Sequence, residues 1–506
     1  MRARPGAIAL LILIAVCSAS PCAAQWKEEA RTPDGIVVQQ QCYGYRQTGL
    51  RTQCGTAARK AADVITRLSA LLGPFPQKKL QLYPAFFMDR APQNYVESVP
   101  GQIRIGDDLY PFLGSPFVLT DLVPREVARQ WFLTGDSPNP IRNDWLAEAL
   151  AEYLAWRYLN EAEAEAARAL VAEAMREAPR WEPEGPPWPK RERSRDALSP
   201  ELVVTRQRGL LVMRTLETVI DRERVDRVLP LLVSRSGGKP PSAALLEKVC
   251  EEVAGRNLKW FFDYFVEGNG IPTIELRSLP SESPGVAAGE IVVKGLPPEG
   301  SVRVEMTVRT AQGVVEHSVA TRGEVTPFSV NVPAPALGIT LDPDLRILRW
   351  TEAAERSKAQ SALLAKLPEP ITRGNLPAAI ELYRRALAGD PEDASRRAQS
   401  LHERLGELEW AHDEWDAALA DLEAAINGHS LDPFETYLSR GKAYLYHGVV
   451  QLHERRPKQA LEDAQAGLVM PREVLAQSLP ETPIESHENR TLEQLLQILV
   501  NAATHY

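Results

Sequence analysis

Five charged residues carry most of the chemical interest: Arg125, Glu126 and Arg129 in the run Pro124–Phe132, Glu148 in the run Asp144–Tyr153, and Arg206 further on. Both runs have helical patterning, and positions 125 and 129, one turn apart, project from one helix face. An arginine does not deprotonate in a protein and has no lone pair to give a metal. No nearby imidazole can substitute, because the first histidine of the chain is His317. Glu126, Glu148 and Asp144 are available acids, but no Ser/His or Cys/His arrangement is possible before residue 317. Two readings of the arginines stay open. In one, fork-shaped guanidinium–carboxylate pairs hold the two helices together. In the other, Arg125, Arg129 and Arg206 converge on a pocket that grips an anion such as a peptide carboxylate. Glu152 reads as a solvated helix charge or a further arginine partner.

These runs resemble the active-site core of the aminopeptidase-N family, the thermolysin-like gluzincins. That family carries His-Glu-x-x-His, commonly followed by Gln-Trp, then a Glu after eighteen residues within Trp-Leu-x-Glu-Gly-x-Ala-x-Tyr. Here eighteen residues separate Arg129 from Glu148, and Gln130-Trp131, Trp145-Leu146, Ala151 and Tyr153 fall in register. In active members two imidazoles and the distal carboxylate bind zinc, while the first Glu handles the proton of water. This sequence keeps Glu126 and Glu148 and has arginine at both histidine positions. Arg206, in Thr205–Gly209, stands where the family has its tyrosine, and Val99-Pro100-Gly101-Gln102 does not match the Gly-x-Met-Glu-Asn substrate loop. Val249–Thr273 resembles the closing helices, and Leu341-Asp342-Pro343-Asp344 the last turn of the family's β-domain. The resemblance covers about residues 100–350. It implies a thermolysin-like fold with the zinc site lost, so no metal and no cofactor are expected. The two arginines supply the same two positive charges as the missing ion, which preserves the charge balance of the cleft.

The elements around these residues follow from periodicity. Thr56–Leu72 spaces apolar residues as one helix face and stops at Gly73-Pro74. Lys79–Phe87 and Gln102–Ile105 read as short strands, 122–134 and 144–159 as paired helices, and Ala162–Arg176 as an exposed helix. Residues 178–190 carry five prolines and read as a surface loop. Helical patterning returns from Leu202 to Gly268, and residues 274–350 alternate as a small antiparallel β-domain. The tail is Ala/Leu/Glu-rich. Gly374, Ala379, Tyr383, Ala386 and Pro391 have the rhythm of a tetratricopeptide second helix, repeated at Gly406, Ala418, Leu422 and Ala425, and more loosely at Gly448, Ala460, Ala464 and Gly467. The alanine intervals of 39 and 42 residues exceed the usual repeat, so the hairpins carry extensions or the tail is an unrelated helical bundle.

The expected organisation is multidomain α+β: a signal peptide at 1–24, a peptidase-like domain at 25–275, a β-sandwich-like domain at 276–350, and a helical solenoid at 360–506. Arg2 and Arg4, the apolar run Ala7–Val16 and the small residues Ser18–Ala24 form the signal, with cleavage expected before Gln25 and a periplasmic or extracellular destination. A lipoprotein signal fits less well, since Val16 and Pro21 are poor predecessors for a lipidated cysteine. Cleavage takes the formal charge from −9 to −9 − 2 = −11. So acidic a chain lacks the basic excess that nucleic acid demands, and no transmembrane segment is expected. In an oxidising compartment Cys42 and Cys54 can close a short loop, worth on the order of 3 kcal/mol. Cys250 reads as a small buried hydrophobe. The functional expectation is a non-catalytic protein that binds a protein or peptide partner through its helical repeats. The alternative is a metallopeptidase or hydrolase with an atypical metal site or other chemistry.

Overall fold

The computed structural model describes residues 24–44, 55–84, 96–105, 118–133, 145–180, 200–237, 240–278, 285–391, 396–427, 433–477 and 485–505. The expected signal peptide (save Ala24), Cys54, Asp144 and most of the proline-rich stretch lie outside them.

The N-terminal unit is a mixed sheet backed by a helix. Strands β1 (Ala24–Arg31), β2 (Val37–Gly44), β3 (Lys79–Pro84), β4 (Val96–Val99) and β5 (Gln102–Ile105) lie in the order β1-β2-β3-β5-β4. β2, β3 and β5 run parallel, and the two edge strands are antiparallel to their neighbours. The crossover from β2 to β3 is helix α1 (Thr56–Leu72), as a parallel pair requires. Val38, Leu80, Leu82, Ile103 and Ile105 face Ala58, Ala61, Ile65 and Leu68 in one core. Gln40 begins the helix: its Oε1 accepts from Gly55 N at 3.0 Å and Ala58 N at 3.3 Å. Two orphan amide donors are thereby satisfied.

A layer of helices follows. The segment 118–132 is continuous but changes pitch, from a π-turn (Val118–Leu122) through α2 (Val123–Arg129) to a 3₁₀ turn (Gln130–Phe132). Then come α3 (Trp145–Ala162), α4 (Ala164–Glu177), α5 (Pro200–Ile220), α6 (Arg222–Ser236) and α7 (Ala243–Ala254). The expected exposed helix is α4, and it is amphipathic rather than exposed: Ala167, Val171, Ala174, Met175 and Arg176 are buried. Its Ala-rich spacing hid a stripe that small side chains fill without raising local hydropathy. α3 and α5 cross so closely that a Cβ added to Gly209 would lie 2.2 Å from the Cβ of Ala149. Cys250 is a free, buried thiol, and burial pushes its pKa up, so it is unreactive.

Two antiparallel three-stranded sheets come next, β10-β7-β6 and β11-β8-β9. They are built from β6 (Thr273–Ser278), β7 (Val286–Lys294), β8 (Arg303–Thr310), β9 (Gly313–Ala320), β10 (Val325–Asn331) and β11 (Ala336–Leu341). The inner positions Ile291, Val304, Met306, Val308 and Phe328 join the same core as the helices.

Seven helices complete the described chain: α8 (Glu352–Leu364), α9 (Leu376–Ala388), α10 (Arg396–Ala411), α11 (Trp415–Asn427), α12 (Pro433–His453), α13 (Pro457–Gln477) and α14 (Glu485–His505). The first of them starts where Thr351 caps it, accepting from Ala354 N at 3.1 Å. Each helix packs on the next, and Ala379, Tyr383 and Ala386 lie on the buried face of α9. The tail's core is divided into small clusters instead of one continuous interior. Asp390 fixes the tail to α4. It is 3% exposed, pairs with Arg176 and accepts from Arg356 Nε at 2.9 Å, while Ser357 Oγ donates to Glu177 at 2.8 Å.

The α3–α5 crossing gives a first prediction. Gly209→Ala is expected to destabilise the protein by about 1–3 kcal/mol, as overpacking does. Urea denaturation measures it; a variant of parental stability would show that the crossing is looser than described.

Candidate functional site

The site is assembled from α2, α3, α5 and the edge strand β4. Residues Leu122 to Phe132 are all buried, so both arginines of α2 must find partners inside the protein. Arg129 forks onto Glu148 of α3, with Nη2 donating to Oε2 at 2.6 Å and Nη1 engaging the other oxygen. Its Nη2 also lies 3.4 Å from Glu126 Oε1. Its Nε is 2.9 Å from Glu126 Oε2, close enough for charge attraction but not aligned as a hydrogen bond. Arg206 of α5 donates from Nε to Glu148 Oε2 at 3.0 Å. Arg125 donates from Nε to Glu126 Oε1 at 3.2 Å and from Nη1 to Glu152 Oε2 at 3.4 Å, and it pairs with Asp121 one turn earlier. Ser98 Oγ of β4 completes the cluster, donating to Glu126 Oε2 at 2.8 Å.

The neighbouring matched residues set the frame. Gln130 Oε1 accepts from Gly101 N at 2.8 Å, which ties α2 to the β4–β5 turn and brings Ser98 over Glu126. Trp131 Nε1 donates to Gly73 O at 3.2 Å and meets Phe75 edge-on at 5.0 Å. The Gly209–Ala149 contact sits one turn from Arg206 and beside Glu148, so the missing Cβ lets the guanidinium reach the carboxylate. Tyr153 belongs to a different network, donating to Glu217 Oε1 at 2.7 Å.

Burial makes the electrostatics consequential. Arg125, Glu126, Arg129, Glu148, Glu152 and Arg206 are between 2% and 7% exposed. Three guanidiniums face four carboxylates, counting Asp121, so the cluster is neutral when one carboxyl keeps its proton. Burial would lift Glu126, but Arg129, Arg125 and Arg206 outweigh it and hold its pKa below the usual range. Burial would lower Arg125 and Arg129, and their carboxylate partners reverse that. Glu152 is pushed up to about 7, first by burial and then by Asp121, against the pull of Arg125 and Arg206. Of Glu126 and Glu152 it is therefore the one that takes up a proton more readily. Arg206 is lowered, by burial and by Arg125, with Glu148 opposing.

Zinc does not fit this donor set. Positions 125, 129 and 206 carry guanidiniums, which have no lone pair, and Glu148 is engaged by two of them. Among the described residues no group of three or more His, Cys, Asp and Glu side chains is placed to hold a metal ion. Arg125, Arg129 and Arg206 do converge, each onto carboxylates of the same cluster, and Glu152 is an arginine partner, not a solvated charge. Ser98 and Asp121 were missed. Asp121 could have been found four residues before Arg125, whereas nothing in the sequence links Ser98 to Glu126.

No protein-family model matches the chain, and no curated protein matches it. Among solved structures it is similar to the crystal structure of Legionella pneumophila aminopeptidase A in complex with aspartic acid, with a TM-score of 0.49 and 12% identity. The match covers 95% of this chain and 56% of that one, so the chain spans little more than half the length of that enzyme.

Two outcomes are expected of the cluster. Glu148→Ala removes the carboxylate that Arg129 and Arg206 share, at a cost of about 3–5 kcal/mol in urea denaturation. The pH dependence has opposite signs at two sites. Glu126, with its folded pKa lowered, gives stability that is present above its unfolded value and lost as pH falls. Glu152, with its folded pKa raised, gives stability that is present below its unfolded value and lost as pH rises through about 7. Glu152→Gln is therefore expected to be more stable than the parent at pH ~8, with the difference shrinking toward pH ~4.5, as read from paired denaturation curves.

Proposed function

We propose that this chain is an exported, non-catalytic, peptidase-like protein: a thermolysin-like domain whose zinc site has become a buried salt-bridge cluster, carrying a tetratricopeptide-like tail that binds a protein or peptide partner. The observation that carries the reading is the Arg129–Glu148 fork, in which a residue at a ligand position neutralises the carboxylate that would have been the third ligand. Glu126 supports it. A general base works best with a pKa near the operating pH, and three arginines hold this carboxylate well below that. Gripping an anion with Arg125, Arg129 and Arg206 would require the incoming group to displace Glu126 or Glu148, so the pairs favour a structural role. The tail supports the binding part: helices packed successively in short-range clusters form extended surfaces suited to partner chains. Among the described residues no helix is long and apolar enough to cross a membrane.

The test is the double reversion Arg125→His with Arg129→His. Stoichiometric zinc in the folded revertant and none in the parent, by elemental analysis, is the expected result. Zinc together with peptide cleavage in the parent would sink the non-catalytic reading. A folded revertant without zinc would show that the cleft has been rebuilt beyond the two histidines.

A further inference from the structure

A second group of arginines lies elsewhere and is organised in the opposite way. Between α3, α4, α5 and the start of α6 on one side, and β8 with the 343–346 turn on the other, is a cavity of about 620 Å³. One of its walls is Arg214, only 3% exposed, with its guanidinium carbon 4.0 Å from the ring centroid of Trp156. Arg214 Nη2 donates to the Asp344 carbonyl at 2.6 Å, and its Nε is buried without a hydrogen-bond partner. Among the described residues no carboxylate stands within ion-pair distance of it. Glu217, one turn away, is already occupied by the Tyr153 hydroxyl at 2.7 Å and Arg346 Nη2 at 3.4 Å. Among the described residues this stacked, desolvated cation has no ion-pair partner, whereas every arginine of the α2 cluster has one. Burial lowers the Arg214 pKa, and the more distant Glu217 and Asp342 only partly oppose that.

The rim repeats the imbalance. Arg168, Arg222 and Arg303 line the cavity and likewise lack an ion-pair partner among the described residues. Of the acids lining it, Glu217 and Glu305 are engaged by Arg346, and Asp221 by Arg224. Among the described residues that leaves four guanidiniums without an ion-pair partner against two such carboxylates, Glu223 and Asp344. The walls also hold unusual backbone: Asp221 and Leu345, both lining the cavity, have φ of 70° and 52°, and Asp342 beside it 48°. Side chains other than glycine are costly to hold there, and such positions gather where a ligand is clamped.

We infer that this cavity binds a small multivalent oxyanion, seated on the Arg214 fork against Trp156, with its remaining charge answered by the rim arginines. A planar guanidinium with free donors takes carboxylate or phosphate oxygens in the same two-point manner. The ligand contacts the helical layer and the β-domain together, so its binding stabilises their junction.

The experiment uses the full chain, with calorimetric titration and thermal unfolding in inorganic phosphate, in citrate, and in sodium chloride at matched ionic strength. Saturable, one-to-one binding of phosphate or citrate, with a rise in Tm absent in chloride, is expected. The preferred anion distinguishes a phosphate-bearing from a polycarboxylate ligand. Arg214→Met should abolish the binding while leaving the Tm without anion unchanged or higher, because it removes an unpaired buried charge. The double variant Arg222→Ser with Arg303→Ser, at the rim, should weaken binding roughly tenfold and decides the matter if the Arg214 variant does not fold. No saturable binding by either anion, or parental affinity in the variants, would overturn the assignment.

Discussion

A buried guanidinium must be answered by a carboxylate, and the Arg129–Glu148 fork is where this protein meets that demand between its central helices. Uncompensated, either charge would cost several kcal/mol in the interior. Together they form a two-point link that sets both the distance and the rotation of α2 against α3. The other features of the region serve the same geometry. Gln130 and Trp131 anchor the end of α2 to the β4–β5 turn and to the end of α1. Gly209 lets α5 approach until Arg206 reaches the same carboxylate. The cluster joins the sheet, through Ser98, to three helices.

A buried guanidinium differs from a bound metal in more than its charge. A metal leaves a coordination position through which water can be activated. Guanidinium forks fill the space and donate only, so the carboxylates become acceptors and lose basicity. Glu126 is depressed by this means, while Glu152, on the far side of Arg125, is raised by burial and by Asp121. The Arg214 cavity is the counterpart. There a guanidinium of similar burial is stacked on an aromatic ring with no carboxylate in ion-pair reach among the described residues, which is the arrangement of a site that receives its counter-ion from outside.

The tail depends on the domain through a smaller version of the same device. Asp390 receives Arg176 from α4 and Arg356 from α8, so one buried carboxylate holds the first two tail helices against the helical layer. Beyond that junction the tail packs locally, helix on helix, and Gly406 lets α10 and α11 approach so closely that a Cβ there would lie 2.7 Å from Leu422 Cγ.

What could be read from the sequence was what depends on short spacing. The helix at 56–72, most of the one expected at 144–159, the alternating strands after 273, the buried face of α9 and the one-face placement of Arg125 and Arg129 all follow from periods of 3.6 or 2 residues. The inability of arginine to bind a metal follows from its chemistry alone. Strands β1, β2 and β4 went unread because they are short or rich in glutamine and charge, and only pairing defines them. The buried stripe of α4 was hidden by alanines. Which carboxylate each arginine takes, that Glu152 is raised while Glu126 is lowered, that Ser98 sits over Glu126, and that Arg214 meets no carboxylate among the described residues are decided by distances of a few ångströms between elements far apart in the chain. Such distances are set by how helices cross and strands pair, and the identities of the residues do not contain them.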